Sequence, residues 1–341
     1  MKLRNGIYLL FLTFFILACK KDFVQLFEGF QKPSNFPEPV YKFQHNIITK
    51  PGFELGRKLF FDPILSLDNT ISCASCHIPT SAFTQHGHSV SHGINDLLGT
   101  RNSPPIMNLA WSNSFMWDGG IADLDLQPIA PITNHVEMGE SMTNVLTKLK
   151  NNSTYKPLFK AAFGSEEVSN INVLKALSQF MLMCVSADSK YDSVMRNQKS
   201  FSIEEKAGYV LFQNKCNSCH KEPLFTDNSF RNNGIQPSNI DDIGRELITL
   251  LPTDKYKFKV PSLRNLEYTA PYMHDGRFLN LDAVLDHYNK QVIPTSNLDP
   301  LLLSNGFTGV SLTADEKRNL LSFLNTLNDR KFITNPLIAE Q

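Results

Sequence analysis

Three stretches of the chain repeat apolar residues at helical spacing, and two of them open on a capping signal. Leu174, Leu177, Phe180, Met181 and Cys184 lie along one apolar face of a helix. Ser202-Ile-Glu-Glu205 is a capping box leading into a helix through Val210 and Leu211. In such a box the Ser and Glu groups exchange hydrogen bonds with N–H groups left free in the first turn. Thr313-Ala-Asp-Glu316 is a second box, followed by Leu320, Leu324 and Leu327. Strand patterns are few. A mainly α fold with long loops is expected, with Cys184 as a small buried hydrophobe.

The N-terminus carries a different pattern. Lys2 and Arg4 precede an almost wholly apolar run from Ile7 to Leu17. About 11 residues are too few to cross a bilayer, which takes about 20. The run therefore reads as a signal-peptide core. It ends in Ile16-Leu17-Ala18-Cys19, which resembles a bacterial lipobox, although Leu17 is a less usual residue at its place. Cleavage before Cys19 would leave a lipid-carrying thiol and a chain anchored on the periplasmic side of the envelope. An ordinary secretion signal would leave Cys19 lost or free. Residues 1–19 are expected to be the signal, and residues 20–45, with Pro33, Pro37 and Pro39, a tether.

The full length of 341 residues suits two domains of moderate size. Lys plus Arg is 33 and Asp plus Glu is 33, so the basic stripe of a nucleic-acid binder is not indicated. Four of the six cysteines lie in Cys73-Ala-Ser-Cys76-His77 and Cys216-Asn-Ser-Cys219-His220. Both are C-x-x-C-H, the attachment signature of haem c. Two thiols at this spacing add across the two vinyl groups on one porphyrin edge. The adjacent histidine then lies beneath the ring and offers an imidazole to iron. Two disulfides, a redox pair or a four-thiolate zinc site would use the same cysteines. A redox pair needs no following histidine, and zinc pairs usually lie closer together. Two covalent haem c groups are therefore expected, one on Cys73, Cys76 and His77 and one on Cys216, Cys219 and His220.

Other landmarks recur in the same order around the two motifs. Gly56-x-x-Leu59-Phe60 matches Gly208-x-x-Leu211-Phe212, and Phe83-Thr84 matches Phe225-Thr226. Arg101-Asn102 is paired with Arg264-Asn265, and Phe115-Met-Trp-Asp-Gly119 with Tyr272-Met-His-Asp-Gly276. This predicts two tandem cytochrome c-like domains, at residues 46–190 and 191–335.

From about Gly52 to Leu327 the chain resembles the bacterial dihaem cytochrome c peroxidases and their relative MauG. The resemblance rests on the two C-x-x-C-H motifs, Gly99-Thr-Arg-Asn-Ser-Pro104, Met116-Trp-Asp-Gly-Gly120, Gln127 and Val136-Glu-Met-Gly139. It extends to Val260-Pro-Ser-Leu-Arg-Asn265 and Ala270-Pro-Tyr-Met-His-Asp-Gly276. It implies that the haem at His77 reacts with peroxide and that the haem at His220 receives electrons and passes them on. It assigns Glu137 as the distal carboxylate, Gln127 as a neighbouring distal amide and Trp117 as the tryptophan between the haems. It also implies an interdomain calcium at positions matching Asn102, Thr269 and Pro271. A carboxylate over an open iron position can act as general acid–base in peroxide cleavage.

The sixth ligands stay open. At the second haem the candidates are Met273 and Tyr288. Tyr288 falls where the resemblance implies a ligating Met in peroxidases and a ligating Tyr in MauG. A thioether raises the haem potential and suits electron transfer, whereas a phenolate favours the oxidised states. At the first haem His86, His88 and His92 lie in a suitable loop, and His92 is nearest the position of a displaceable histidine. His274 is expected to be a structural hydrogen-bonding residue. The leading expectation is reduction of hydrogen peroxide to water with electrons from a small cytochrome c or cupredoxin. The alternatives are MauG-type oxidation of a protein or organic substrate, and a non-enzymatic electron carrier, which would have no need of Glu137 and Gln127. Family peroxidases are commonly homodimers, but no interface is readable in the sequence.

Overall fold

The computed structural model describes residues 27–304 and 306–341. The signal, the lipobox and Cys19 lie outside the described residues. The chain is mainly helical, and strand is confined to two short antiparallel pairs among the described residues.

Two helix pairs repeat one construction. Helix Lys50–Phe61 crosses helix Asn170–Leu182, and helix Ile203–Lys215 crosses helix Ala314–Asn325. Both predicted capping boxes form, on Ser202 with Glu205 and on Thr313 with Glu316. Each crossing is set by a glycine. A Cβ on Gly56 would lie 1.8 Å from the Ala176 carbonyl oxygen, and one on Gly208 would lie 1.9 Å from that of Asn319. Beside each crossing sits a phenylalanine cluster. Phe180 meets Phe60 at 4.7 Å and Phe83 at 6.1 Å between ring centres. Phe323 meets Phe212 at 5.1 Å and Phe225 at 6.2 Å. All six rings are fully buried. Cys184, just past its helix, is buried and unpaired, as expected.

The loops repeat as well, and they correct one of the paired landmarks. Met116 and Met273 both take left-handed backbone, with φ of +69° and +73°. Each begins a turn closed by one bridge, Phe115 to Ile121 and Tyr272 to Phe278. Counting back from these turns, the partner of Asn265 is Asn108, not Asn102. Asn108 and Asn265 both have φ near +60°, at +57° and +62°. Their backbone N–H groups donate to the carbonyls of Cys184 and Leu327, which follow equivalent helices. Their side-chain oxygens accept from the N–H groups of Ser186 and Asp329. Arg101-Asn102 belongs to a different loop, and only the dipeptide coincides.

The expected tether is, from Phe27 onward, an arm laid on the helical body. Phe27 packs on Phe53, Phe30 on Phe43 and Trp111, and Phe36 on Trp111. Trp111 Nε1 donates to the Pro37 carbonyl at 2.8 Å, and Tyr41 donates to Asp125 at 2.7 Å. These aromatic contacts bury apolar area that a free linker would leave in water.

Candidate active site

Cys73–Cys76 form one helical turn, boxed by Ser72 and Ser75, and His77 ends it. His77 Nδ1 lies 2.8 Å from the Phe83 carbonyl oxygen. That carbonyl turns back on the ring because Ala82 and Phe83 are both left-handed, with φ of +52° and +60°. A carbonyl can only accept, so Nδ1 carries the proton and Nε2 keeps the lone pair that a metal ligand needs. At the second motif His220 Nδ1 lies 3.2 Å from the Phe225 carbonyl and 3.1 Å from that of Pro261. Burial holds both imidazoles below their ordinary range, hence neutral. Burial also pushes the Cys73 and Cys216 thiols up to about 12. All four motif cysteines are unpaired. Among the described residues no three His, Cys, Asp or Glu side chains gather as a metal cluster, so the two pairs do not converge on one zinc site.

A cavity of about 740 Å³ opens against Cys73, Cys76 and His77. This falls in the range of cofactor pockets, about 300–1,000 Å³. Glu137, Gln127 and Trp117 all reach its wall. Burial raises the Glu137 carboxyl above its usual value, although Asn134 Nδ2 donates to it at 2.8 Å and acts the other way. Gln127 Nε2 donates to Met116 Sδ at 3.8 Å. Trp117 Nε1 donates to the Asn102 carbonyl at 2.8 Å, and its own carbonyl accepts from Lys259 N at 2.7 Å. Paired thiols, a neutral imidazole with a free Nε2 and apolar lining from Phe60, Ile106 and Met107 are a donor set and wall that fit a covalently held haem.

Around the second motif the two candidate ligands meet at a residue the sequence reading did not single out. Asn233 Nδ2 donates to Met273 Sδ at 3.6 Å, and the Asn233 side chain also lies beside the Tyr288 phenol. Tyr288 sits in a π-helical turn, His287–Gln291, a local irregularity that often marks functional positions. Burial, with the nearby Cys219 and Cys216, pushes its phenol up to about 12. The neighbouring His287 is buried and bonds the Asn233 carbonyl at 3.2 Å.

Other expected residues lie elsewhere. His92 points its ring at the exposed Asp96, 2.6 Å away, and it is the His92 carbonyl that faces Cys76 Sγ, at 3.8 Å. His86 and His88 are exposed. His274 stacks on Phe258 with ring centres 3.7 Å apart, and burial holds it down to about 4. Its carbonyl accepts from Asn102 N at 2.7 Å, which sets Asn102 against the segment carrying Thr269 and Pro271. All three of those residues are buried. No helix among the described residues is long and apolar enough to cross a membrane.

The family model for di-haem cytochrome c peroxidase matches residues 50–200. The methylamine utilization protein MauG of Methylorubrum extorquens is 36% identical over 91% of this chain and 86% of its own length. The cytochrome c551 peroxidase of Pseudomonas aeruginosa is 30% identical over 86% of this chain and 84% of its own. Among solved structures, a MauG-like protein associated with microbial copper homeostasis superposes with a TM-score of 0.81 at 30% identity. That match covers 91% of this chain and 98% of the other. The chain belongs to the di-haem cytochrome c peroxidase and MauG family, and is an oxidoreductase with peroxide as acceptor.

Proposed function

We propose that the chain is a two-domain dihaem peroxidase that reduces hydrogen peroxide to water outside the cytoplasmic membrane. Residues 46–190 form the domain that handles peroxide, and residues 191–335 the domain that takes electrons from a small cytochrome c or cupredoxin. The observation that carries this reading is Glu137, a carboxyl held in the wall of the cavity that also holds Cys73, Cys76 and His77.

Haem c, when bound through Cys73, Cys76 and His77, supplies an iron coordination position and electron transfer. The remaining steps belong to the chain. Phe83 fixes the His77 tautomer through its carbonyl. Asn134 holds Glu137 Oε1. Glu137 takes the proton from one peroxide oxygen and returns it to the other, which leaves as water. Two further protons and two electrons complete the conversion of one peroxide to two waters. Gln127, held towards Met116, lines the same wall, and Trp117 lies between this cavity and the strand that reaches His220.

A specific observation favours a second reading, oxidation of a protein or organic substrate in the manner implied by MauG. Tyr288 sits beside Cys216 and Cys219 and shares Asn233 with Met273. Tyrosine ligation would lower the second haem's potential and disfavour acceptance of electrons from a donor. Turnover of the holoprotein with peroxide and a reduced small cytochrome separates the readings. Sustained donor oxidation supports the peroxidase; its absence, with a low-spin resonance altered by Tyr288→Phe, supports the second. Turnover indifferent to Glu137→Gln would sink the assigned proton transfer.

A further inference from the structure

Lys259 is a cation without an obvious reason to be where it is. It lies in the short strand Phe258–Lys259, where it pairs with Phe230, and its backbone N–H is spent on the Trp117 carbonyl. It lines the cavity that His77 also lines. There the ammonium donates to the Ser114 carbonyl and lies 5.8 Å from the centre of the Phe115 ring. Among the described residues no carboxylate comes within ion-pair distance of it. The other strong base of the wall, Arg101, is already engaged by Asp118 at 2.5 Å and by Asp242 at 2.6 Å. Asp241 accepts from Tyr256 at 2.7 Å. Burial alone brings the Lys259 amine down to about 8, so an unpaired ammonium here carries a desolvation cost that a counter-anion would offset.

The same strand runs on to the other motif. Thr226 donates to the Val260 carbonyl, and the Pro261 carbonyl accepts from His220 at 3.1 Å. Lys259 therefore stands two residues from the Pro261 anchor of His220 at one site, on the wall of the other. A haem carries two carboxylates on the edge opposite its thioether bonds, and these are the anions its binding brings to such a wall.

We infer that Lys259 is the cavity's carboxylate anchor, pairing with a propionate of a bound haem and setting that haem's potential. The inference rests on the dihaem reading proposed above. A positive charge at the porphyrin edge stabilises the reduced state, so its removal shifts the potential down. Charge placement, not activity, is what the test must read.

The test is spectroelectrochemical titration of both haems in the holoprotein, comparing wild type with Lys259→Met, Lys259→Gln and Lys259→Arg. The expected result is a downward shift in one haem's potential in the Met and Gln variants and its recovery in the Arg variant. Which haem moves identifies whose carboxylate is held. Loss of haem from the neutral variants with retention in the Arg variant would equally support the anchor. Two full haems with unmoved potentials in every variant would overturn it. So would haem loss shared by the Arg variant, which would point to packing rather than charge. A wild-type chain that takes up no haem would instead remove the dihaem reading beneath it.

Discussion

Burial lifts the Glu137 carboxyl above the ordinary carboxylate range, and the Asn134 amide 2.8 Å from Oε1 pulls it back. A general base must be deprotonated to accept a proton, so in the proposed role activity falls as pH drops through this raised value. The acid limb of kcat/KM should therefore lie above the range of a solvated Glu, about 4.3. Removing the amide with Asn134→Ala takes away a hydrogen bond to the charged form, and the limb should move to higher pH. Glu137→Gln should abolish the limb and cost about 10²–10⁴-fold in turnover while leaving haem spectra in place. An unchanged limb in Asn134→Ala would mean that some other group titrates. At the second motif the matching residue-scale contest is between Met273 and Tyr288, and Asn233 touches both. Asn233→Ala should therefore alter the low-spin resonance whichever of the two ligates, and an unaltered resonance would place the sixth ligand elsewhere.

The helix pairs are where sequence and structure agree most closely, for a physical reason. A capping box is local in sequence, with its partners three residues apart, and both predicted boxes form. The crossing glycines are legible for the same reason, since Gly56 and Gly208 hold the same place in repeated motifs. What they do is not legible without the partner helix. Each lets a backbone carbonyl approach to where a Cβ would stand, 1.8 Å and 1.9 Å away. Gly56→Ala or Gly208→Ala must push the helices apart, and overpacking of this kind costs about 1–3 kcal/mol. Denaturant melts of the holoprotein read it directly, and an unchanged midpoint would show that the crossing yields freely. Two of the site residues that escaped notice have the opposite property. Asn233 and Lys259 act across loops, on partners fixed by tertiary contact and not by any period. The mispairing of Asn265 with Asn102 has the same origin. Two Arg-Asn dipeptides coincide in sequence, but the left-handed backbone and the carbonyls that accept the N–H mark Asn108 as the true counterpart.

At the scale of the whole molecule, the N-terminal arm docks on one buried ion pair. Arg264 and Asp192 are both fully buried, joined by two hydrogen bonds of 2.8 Å. Asn35 of the N-terminal arm donates to the same carboxylate at 2.9 Å, and the Arg264 guanidinium lies 4.8 Å from the centre of the Phe36 ring. Phe36 in turn packs on Trp111, which also lines the cavity. The arm thus touches the ion pair and, through Trp111, the cavity wall at once. Burial by itself would raise the Asp192 carboxyl, but Arg264, with Ser189 and Asn35, outweighs it and holds the group below its ordinary value, so the ionised pair is the resident state at neutral pH. Asp192→Ala strands a buried guanidinium, a loss of about 3–5 kcal/mol. It should also free Asn35 and loosen Phe36. Limited proteolysis should then cut between residues 27 and 45 well before the helical body, while wild type resists there. A destabilised variant whose arm stayed protected would show that its aromatic contacts and the Trp111 and Tyr41 hydrogen bonds hold the arm without the ion pair. In that case the ion pair would serve only the packing around Arg264.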